Sequence, residues 1–196
     1  MQDVGFIVLA GGAGKRFGMP KQFYSWMGQE LWIRSYNVAR NISDQEVVCV
    51  GLDVDGGKTR QESVKSGLRL IDSERVVILE TAMPLVNEAT IHKLLEIQHP
   101  SVTYGKNIES SIYSRKKQEF LPEGGVSVIY PLQVFDTKLL KQAHEKTTIR
   151  KAPDDASLMK QVHGIEPYII NGSMKELFKV ISKADLAILN SLHLAD

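Results

Sequence analysis

A doubly wound α/β fold, with one mostly parallel sheet between two layers of helices, is what this 196-residue sequence predicts, and three observations carry the prediction. Short apolar runs alternate with longer segments of helical period, as they must where strands return parallel to one another through helical crossovers. The first run, VGFIVLA, is apolar without interruption and ends in glycines, the mark of a strand covered on both faces and followed by a tight turn. No linker, repeat or low-complexity tract divides the chain, so residues 1–196 are expected to form a single domain.

Taken in order, residues 4–10 are the first strand, and 31–41 a helix whose apolar positions Leu31, Tyr36, Val38 and Ala39 fall at helical spacing. Residues 46–54 form a second strand. A helix begins in TRQESVKSGLRLI at Thr59, RVVILE at 75–80 is a third strand, and NEATIHKLLEIQ from Asn87 is a helix of good apolar period. Residues 101–130 break the alternation: SVTYGKNIESSIY reads as extended, SRKKQEFLPEGG as a charged exposed loop, and VSVIY as a strand. A short protruding β-arm or insertion is expected there. Helical signals resume at 136–145, 154–162 and 183–192, with PYIING a short strand before the last.

Lys plus Arg number 24 against 23 for Asp plus Glu, which gives no bulk attraction to nucleic acid or an anionic membrane, so neither is expected as a partner. Anion binding has to be local. The single cysteine, Cys49, sits in EVVCVGL and reads as a small buried hydrophobe, which excludes a disulfide framework within one chain. The opening apolar run is too short to span a bilayer and has an acidic flank, so a cytoplasmic, soluble protein is expected. His92, His99, His144, His163 and His193 lack metal-ligand spacing and read as solvated or capping residues. Asp154 and Asp155 read as helix-start acids, Arg115 to Lys117 as a solvated loop, and Trp26 and Trp32 as packing residues.

Function is concentrated in VLAGGAGKRFGMPKQF, where bare backbone stands beside Lys15, Arg16 and Lys21. Glycines let backbone N–H groups approach a ligand closely and cations neutralise what they approach, so the combination suits a phosphate chain. A P-loop would require a glycine five positions before Gly14 and a Ser or Thr after Lys15, and the chain has Leu9 and Arg16. A dinucleotide fingerprint fits weakly, the spacing from Gly12 being G-x-G-x-x-x-G, with Asp53 as its acid. The bland alternative is a glycine turn with solvated cations.

The stretch LAGGAGKRFGMPKQF resembles the signature of nucleotidyltransferases that activate sugar or polyol phosphates. PKQF, together with GGKTRQESVKSGL, is similar to the methylerythritol phosphate and ribitol phosphate cytidylyltransferases. Further segments of the resemblance are ETAMPLV, QVFDTKLL, PDDASLMKQVHG and LFKVISKADLAIL, in family order along most of the chain. The resemblance implies a Rossmann-like sheet of the nucleotide-diphospho-sugar transferase type and a reaction joining CTP to a small polyol or sugar phosphate with release of pyrophosphate. Isoprenoid or cell-wall polyol precursors are the products it implies. Ala10, Gly11, Gly12, Ala13, Gly14 and Lys15 would wrap the CTP phosphates, Gly57 and Ser63 would read base and ribose, and Ala82 would line the nucleotide site. Lys21, Lys179 and Arg16 would be catalytic, by stabilising charge on the phosphates. Mg²⁺ is the implied cofactor, with Glu80 its candidate ligand, and a homodimer built through the arm is the implied assembly.

Departures from the family pattern fall mainly on the acceptor side. Met83 stands in place of an arginine, Glu80 in place of an aspartate and Pro131 in place of a threonine, while on the base side Lys58 occupies a position usually acidic or small. About one βα unit of roughly 20 residues is also absent before the GGKTR loop. These departures motivate an alternative expectation, a non-catalytic or regulatory nucleotide-binding relative that has lost its acceptor site.

Overall fold

The computed structural model describes residues 3–44, 46–149, 152–173 and 175–194; Met1 and Gln2 of the opening segment, Met174 in the lead-in to Lys179 and the last two residues of the expected domain lie outside them. The strands are β1 (Val4–Leu9), β2 (Ser25–Trp26), β3 (Gln29–Glu30), β4 (Val47–Val50), β5 (Arg75–Glu80), β6 (Ser101–Asn107), β7 (Ile112–Ser114), β8 (Glu119–Leu121), β9 (Ser127–Asp136) and β10 (Tyr168–Asn171). The helices are α1 (Leu31–Ile42), α2 (Arg60–Leu68), α3 (Glu88–Leu95), α4 (Thr137–Lys146), α5 (Asp155–His163) and α6 (Asp185–Leu194).

Six strands form the central sheet in the order β10-β6-β9-β5-β1-β4, and β9 alone runs antiparallel to its neighbours. β1 lies inside it, paired to β4 and β5, and Val4 to Val8 are all buried, as an apolar run without alternation requires. Phe6 and Val8 face one side, where Ala39 of α1 and Ile91 and Leu94 of α3 cover them. Ile7, with Val76 and Ile78, faces the other, under Val64 of α2, Leu140 of α4 and Met159 of α5. The predicted doubly wound, mostly parallel architecture is present.

Local chemistry sets the helix starts. Thr59 and Glu62 form a reciprocal capping box on α2, and Asp154 and Ser157 form another on α5, each worth about 1 kcal/mol against an alanine cap. One strand, β4, fills the place where the sequence leaves room for one; Val54 then returns to Val50 through an isolated bridge.

The arm differs from the expected 101–130. Residues 101–107 are β6, a buried strand of the central sheet, and only the β7–β8 hairpin stands outside it. Part of the expected loop 114–125 is strand β8, because Tyr113 and Phe120 pair across the hairpin with their rings 5.2 Å apart. Pro131 lies within β9, where the β6–β9 register shifts between Thr103 and Gly105, the kind of irregularity that accommodates a residue without an N–H.

Candidate active site

The glycine loop leaves the C-terminal end of β1, and its shape follows from three residues. Ala10 donates its N–H to the Val50 carbonyl, and Gly14 takes φ +60° so that its carbonyl receives the N–H groups of Phe17 and Gly18. A β-carbon at Gly14 would lie 1.7 Å from the Met19 carbonyl oxygen, which is why glycine is required there. Phe17 anchors the loop: it is buried with Trp26, Leu31, Val180 and Leu189, and stacks edge-on against Tyr24. Lys15 and Arg16 are left exposed.

Beneath the loop is a cleft of about 450 Å³, lined by Gly11, Gly12, Ala13, Lys21, Gly57, Lys58, Thr59, Arg60, Ser63, Glu80 and Ala82 among others. It sits where the C-terminal ends of β1 and β5 meet the start of α2, the position at which open parallel sheets bind ligands. Gly57 donates its N–H to the Ser63 hydroxyl at 3.0 Å, and that hydroxyl donates to the Thr59 carbonyl at 3.1 Å, so the proposed base-reading pair is already ordered. A larger cleft, of about 820 Å³, lies between Asp72, Arg75, His99 and Lys141 and contains none of the predicted site residues.

Of the two lysines expected to do the chemistry, Lys21 lines the cleft and Lys179 reaches its lining through Glu80. Lys21, in a 3-10 turn (Lys21–Phe23) behind Pro20, donates to the Val180 carbonyl at 3.0 Å, and Val180 donates its N–H to the Ala82 carbonyl at 2.8 Å. The Val180 side chain is fully buried, while Lys179 turns the other way and donates to Glu80 Oε2 at 2.5 Å. Burial lowers the Lys21 pKa, the nearby Lys179 charge lowers it further, and Glu80 opposes both. The Glu80 carboxylate thus offsets part of the repulsion between the two ammonium groups.

Glu80, the candidate metal ligand of the sequence reading, is held by two cations. Its Oε2 is held by Lys179 and its Oε1 by the Arg60 Nε at 3.0 Å. Burial alone would raise this carboxyl, but Lys179 and Arg60 outweigh burial and hold it below the usual range. With both oxygens committed to cations, Glu80 does not fit the role of metal ligand, and among the described residues no group of three His, Cys, Asp or Glu side chains converges as a metal site.

Three residues of the network behind Lys179 (Arg60, Asp155 and His144) were given no part in the site by the sequence. Arg60 also holds Asp155, through Nη1 and Oδ2 at 2.5 Å, and the other Asp155 oxygen meets His144 Nε2 at 2.9 Å. Asp154 and Asp155 both open α5 as expected, Asp154 as its N-cap and Asp155 in its first turn, but Asp155 is 1 % exposed and pairs inside the protein, and His144 is buried rather than solvated. Met83 is 1 % exposed within the main core, packed away from the cleft. Trp26 and Trp32 are packing residues as expected, Asp53 accepts the Cys49 N–H within its own turn, and burial, with Asp53, pushes the Cys49 thiol up to about 12.

Bare backbone and two convergent ammonium groups at the ends of parallel strands suit a triphosphate attacked by an oxygen that a second substrate brings, and on this sheet they define a Rossmann-like nucleotidyltransferase. Residues 4–193 match the family model of IspD, 2-C-methyl-D-erythritol 4-phosphate cytidylyltransferase, and the chain belongs to that family. It is 29% identical over 205 residues to the 2-C-methyl-D-erythritol 4-phosphate cytidylyltransferase of Deinococcus radiodurans, covering 95% of this chain and 88% of the relative. To the bifunctional enzyme IspD/IspF of Campylobacter concisus it is 28% identical over 210 residues, covering 98% of this chain and 55% of that one, so it spans about half of the bifunctional relative. Among solved structures, the bifunctional IspDF from Campylobacter jejuni superposes with a TM-score of 0.81 at 24% identity, over 95% of this chain and 54% of that one. The cytidylyltransferase of Thermus thermophilus superposes with 0.79 at 20% identity, over 98% of both chains. Family, fold and nucleotidyltransferase class are those expected from the sequence, and nothing in these matches favours the non-catalytic alternative. Among the described residues no helix is long and apolar enough to cross a membrane.

Proposed function

We propose that this chain transfers the cytidylyl group of CTP to 2-C-methyl-D-erythritol 4-phosphate. A phosphate oxygen of the acceptor attacks the α-phosphorus, the bond from the α-phosphorus to the bridging oxygen breaks, and pyrophosphate leaves with the bonding pair. The observation that carries the reading is the glycine cleft itself, which Lys21 and Glu80 line, with the Lys179 ammonium paired to Glu80 and close enough to Lys21 to lower its pKa. No side-chain nucleophile is needed, since the acceptor oxygen is already anionic; what the reaction needs is alignment and compensation of charge as it shifts to the leaving pyrophosphate. Lys21, Lys179 and Arg16 supply that charge, and the backbone from Ala10 to Gly14, with Lys15, holds the phosphates. Gly57 and Ser63 face the base and ribose, with Ala82 lining the floor.

Mg²⁺ belongs to this reading as a counterion that would accompany the nucleotide and neutralise its phosphate charge, a cation that favours phosphate oxygens and water over dedicated protein cages. A cytoplasmic homodimer also belongs to it. The β7–β8 hairpin exposes 51 % of Tyr113 and 73 % of Phe120, an aromatic pair suited to burial against a second copy. Phe120→Ser is expected to shift the protein toward monomer in sedimentation or light scattering; an unchanged assembly would remove the hairpin from the interface.

The activity is tested by pyrophosphate release with CTP, UTP, GTP and ATP against methylerythritol phosphate, ribitol phosphate and other polyol and sugar phosphates. Release with CTP and methylerythritol phosphate is expected. Binding of CTP with no release for any acceptor would identify a nucleotide-binding relative instead.

The nucleotide site has its own test. CTP at about 100 times its Kd stabilises the native state by about 2.7 kcal/mol, a rise in Tm of about 5–10 °C for a chain of this size. Lys21→Ala should remove most of that rise. A β-carbon at Gly12 meets nothing within 4 Å, so Gly12→Val should leave the unliganded Tm in place and still block the approach of the phosphates. Equal CTP stabilisation of wild type and both variants would overturn the assignment of the cleft.

A further inference from the structure

The mechanism above leaves two buried polar groups unused, His144 on α4 and Asp155 at the start of α5. His144 is 4 % exposed and Asp155 1 %, on helices whose Leu140, Ala143, Ala156 and Met159 belong to an apolar core cluster, while Lys65, Arg69, Lys141 and Glu145 line a small cleft beside His144. A carboxylate taken out of water in such a place is costly, and replacing a buried ionic group by well-packed apolar side chains is often neutral or stabilising. Stability alone therefore gives no reason for Asp155 to be there.

Its partners supply one. Asp155 Oδ1 meets His144 Nε2 at 2.9 Å and Oδ2 meets Arg60 Nη1; Arg60 Nε meets Glu80 Oε1, and Glu80 Oε2 meets Lys179 Nζ. Each carboxylate uses one oxygen in one direction along the chain and the other oxygen in the opposite direction, so neither can rotate without breaking a contact. An ionised Asp155 can only accept, so His144 Nε2 is the donor in this contact, and His144 Nδ1 has no partner among the described residues. The path begins in α4, which does not line the cleft, passes through Arg60 and Glu80, which do, and ends on the Lys179 amino group.

We propose that Asp155, braced by His144, is a positioning residue for Lys179: it fixes Arg60, Arg60 fixes Glu80, and Glu80 sets where the Lys179 ammonium stands. The proposal rests on the cytidylyl-transfer reading for its kinetic consequence and on geometry for the placement itself. Charge stabilisation in a transition state is sensitive to misplacement of about 1 Å, so loosening the far end of the path should reach turnover before it reaches nucleotide affinity.

The experiment measures kcat and the KM for CTP in His144→Leu, His144→Gln and Asp155→Asn, each in the wild-type and Lys179→Ala backgrounds. It also records the Lys179 side-chain ammonium resonance by ¹⁵N NMR, assigned through its loss in Lys179→Ala. His144→Leu and Asp155→Asn are expected to lower kcat on the order of tenfold with little change in KM, and to shift the resonance. His144→Gln retains an N–H donor and should restore most of both. In the Lys179→Ala background the same changes should cost almost nothing, because the group they position is gone. Equal losses in both backgrounds, or an unmoved resonance in His144→Leu and Asp155→Asn, would reduce the pair to a structural role. A wild type that releases no pyrophosphate, yet whose Lys179 resonance moves as described, would sink the activity reading and leave the positioning intact.

Discussion

Replacing Lys179 by alanine is expected to lower kcat for cytidylyl transfer on the order of 10²-fold or more, while most of the CTP-induced rise in Tm remains. The difference between the two readouts is the point. Lys179 stands on the irregular stretch after Leu177, held by the Val180 N–H on Ala82 and by the Lys21 ammonium on the Val180 carbonyl, so its backbone is fixed before any substrate arrives. Its ammonium group already has a carboxylate partner in Glu80, and binding ground-state CTP adds little to that attraction. The gain comes when charge gathers around the α-phosphorus, and only an interaction stronger there than in the ground state raises kcat. Lys179→Arg should fail to restore the rate fully, since a planar guanidinium cannot take the place of a compact ammonium beside Glu80. A Lys179→Ala enzyme turning over at the wild-type rate would leave this residue a structural counter-charge to Glu80.

The cleft was legible because its signals are local. Glycines, cations and Phe17 all fall within one loop, and the apolar neighbours of Lys179 announce its direction: Val180 is buried and Phe178 half-buried, so the lysine faces away from them. The network behind Lys179 was not legible, since Arg60 and Asp155 lie 95 residues apart and no periodicity connects them. Faint signals existed. A cation at the first position of α2 runs against the helix dipole, which asks for a reason. Of the acids Asp154 and Asp155 only one is needed as a cap, and His144 falls on the same buried stripe as Leu140 and Ala143. The start of the arm is hard to read for a related reason. SVTYGKN reads as extended, and nothing local says that this strand lies in the central sheet, where Ser101 and Thr103 are buried in β6 with the Thr103 hydroxyl within reach of backbone carbonyls at Tyr104 and Tyr130.

The largest loss of stability is expected from Arg60→Met. That change removes the one guanidinium holding two carboxylates: Asp155 would keep only His144, and Glu80 only Lys179. Breaking a buried ion pair from one side strands the opposite charge and costs about 3–5 kcal/mol, which for a chain of this size lowers Tm by about 10 °C. The loss has a pH signature. Burial alone would raise the Asp155 carboxyl, but Arg60 and His144 outweigh it, and Glu80 is likewise held low in the folded protein. A carboxyl whose folded pKa lies below its unfolded one stabilises the fold fully above the unfolded value, ~3.9 for Asp and ~4.3 for Glu, and loses that contribution as pH falls through the folded value. The Tm gap between wild type and Arg60→Met should therefore be full at pH 7 and close progressively below about pH 4, where protonation removes the charges that Arg60 serves. Thermal melts of both proteins from pH 7 down to about pH 3 measure this directly. A gap that stays constant across that range would mean that Arg60 contributes through the packing of its stem, and that the carboxylates it touches find their compensation elsewhere.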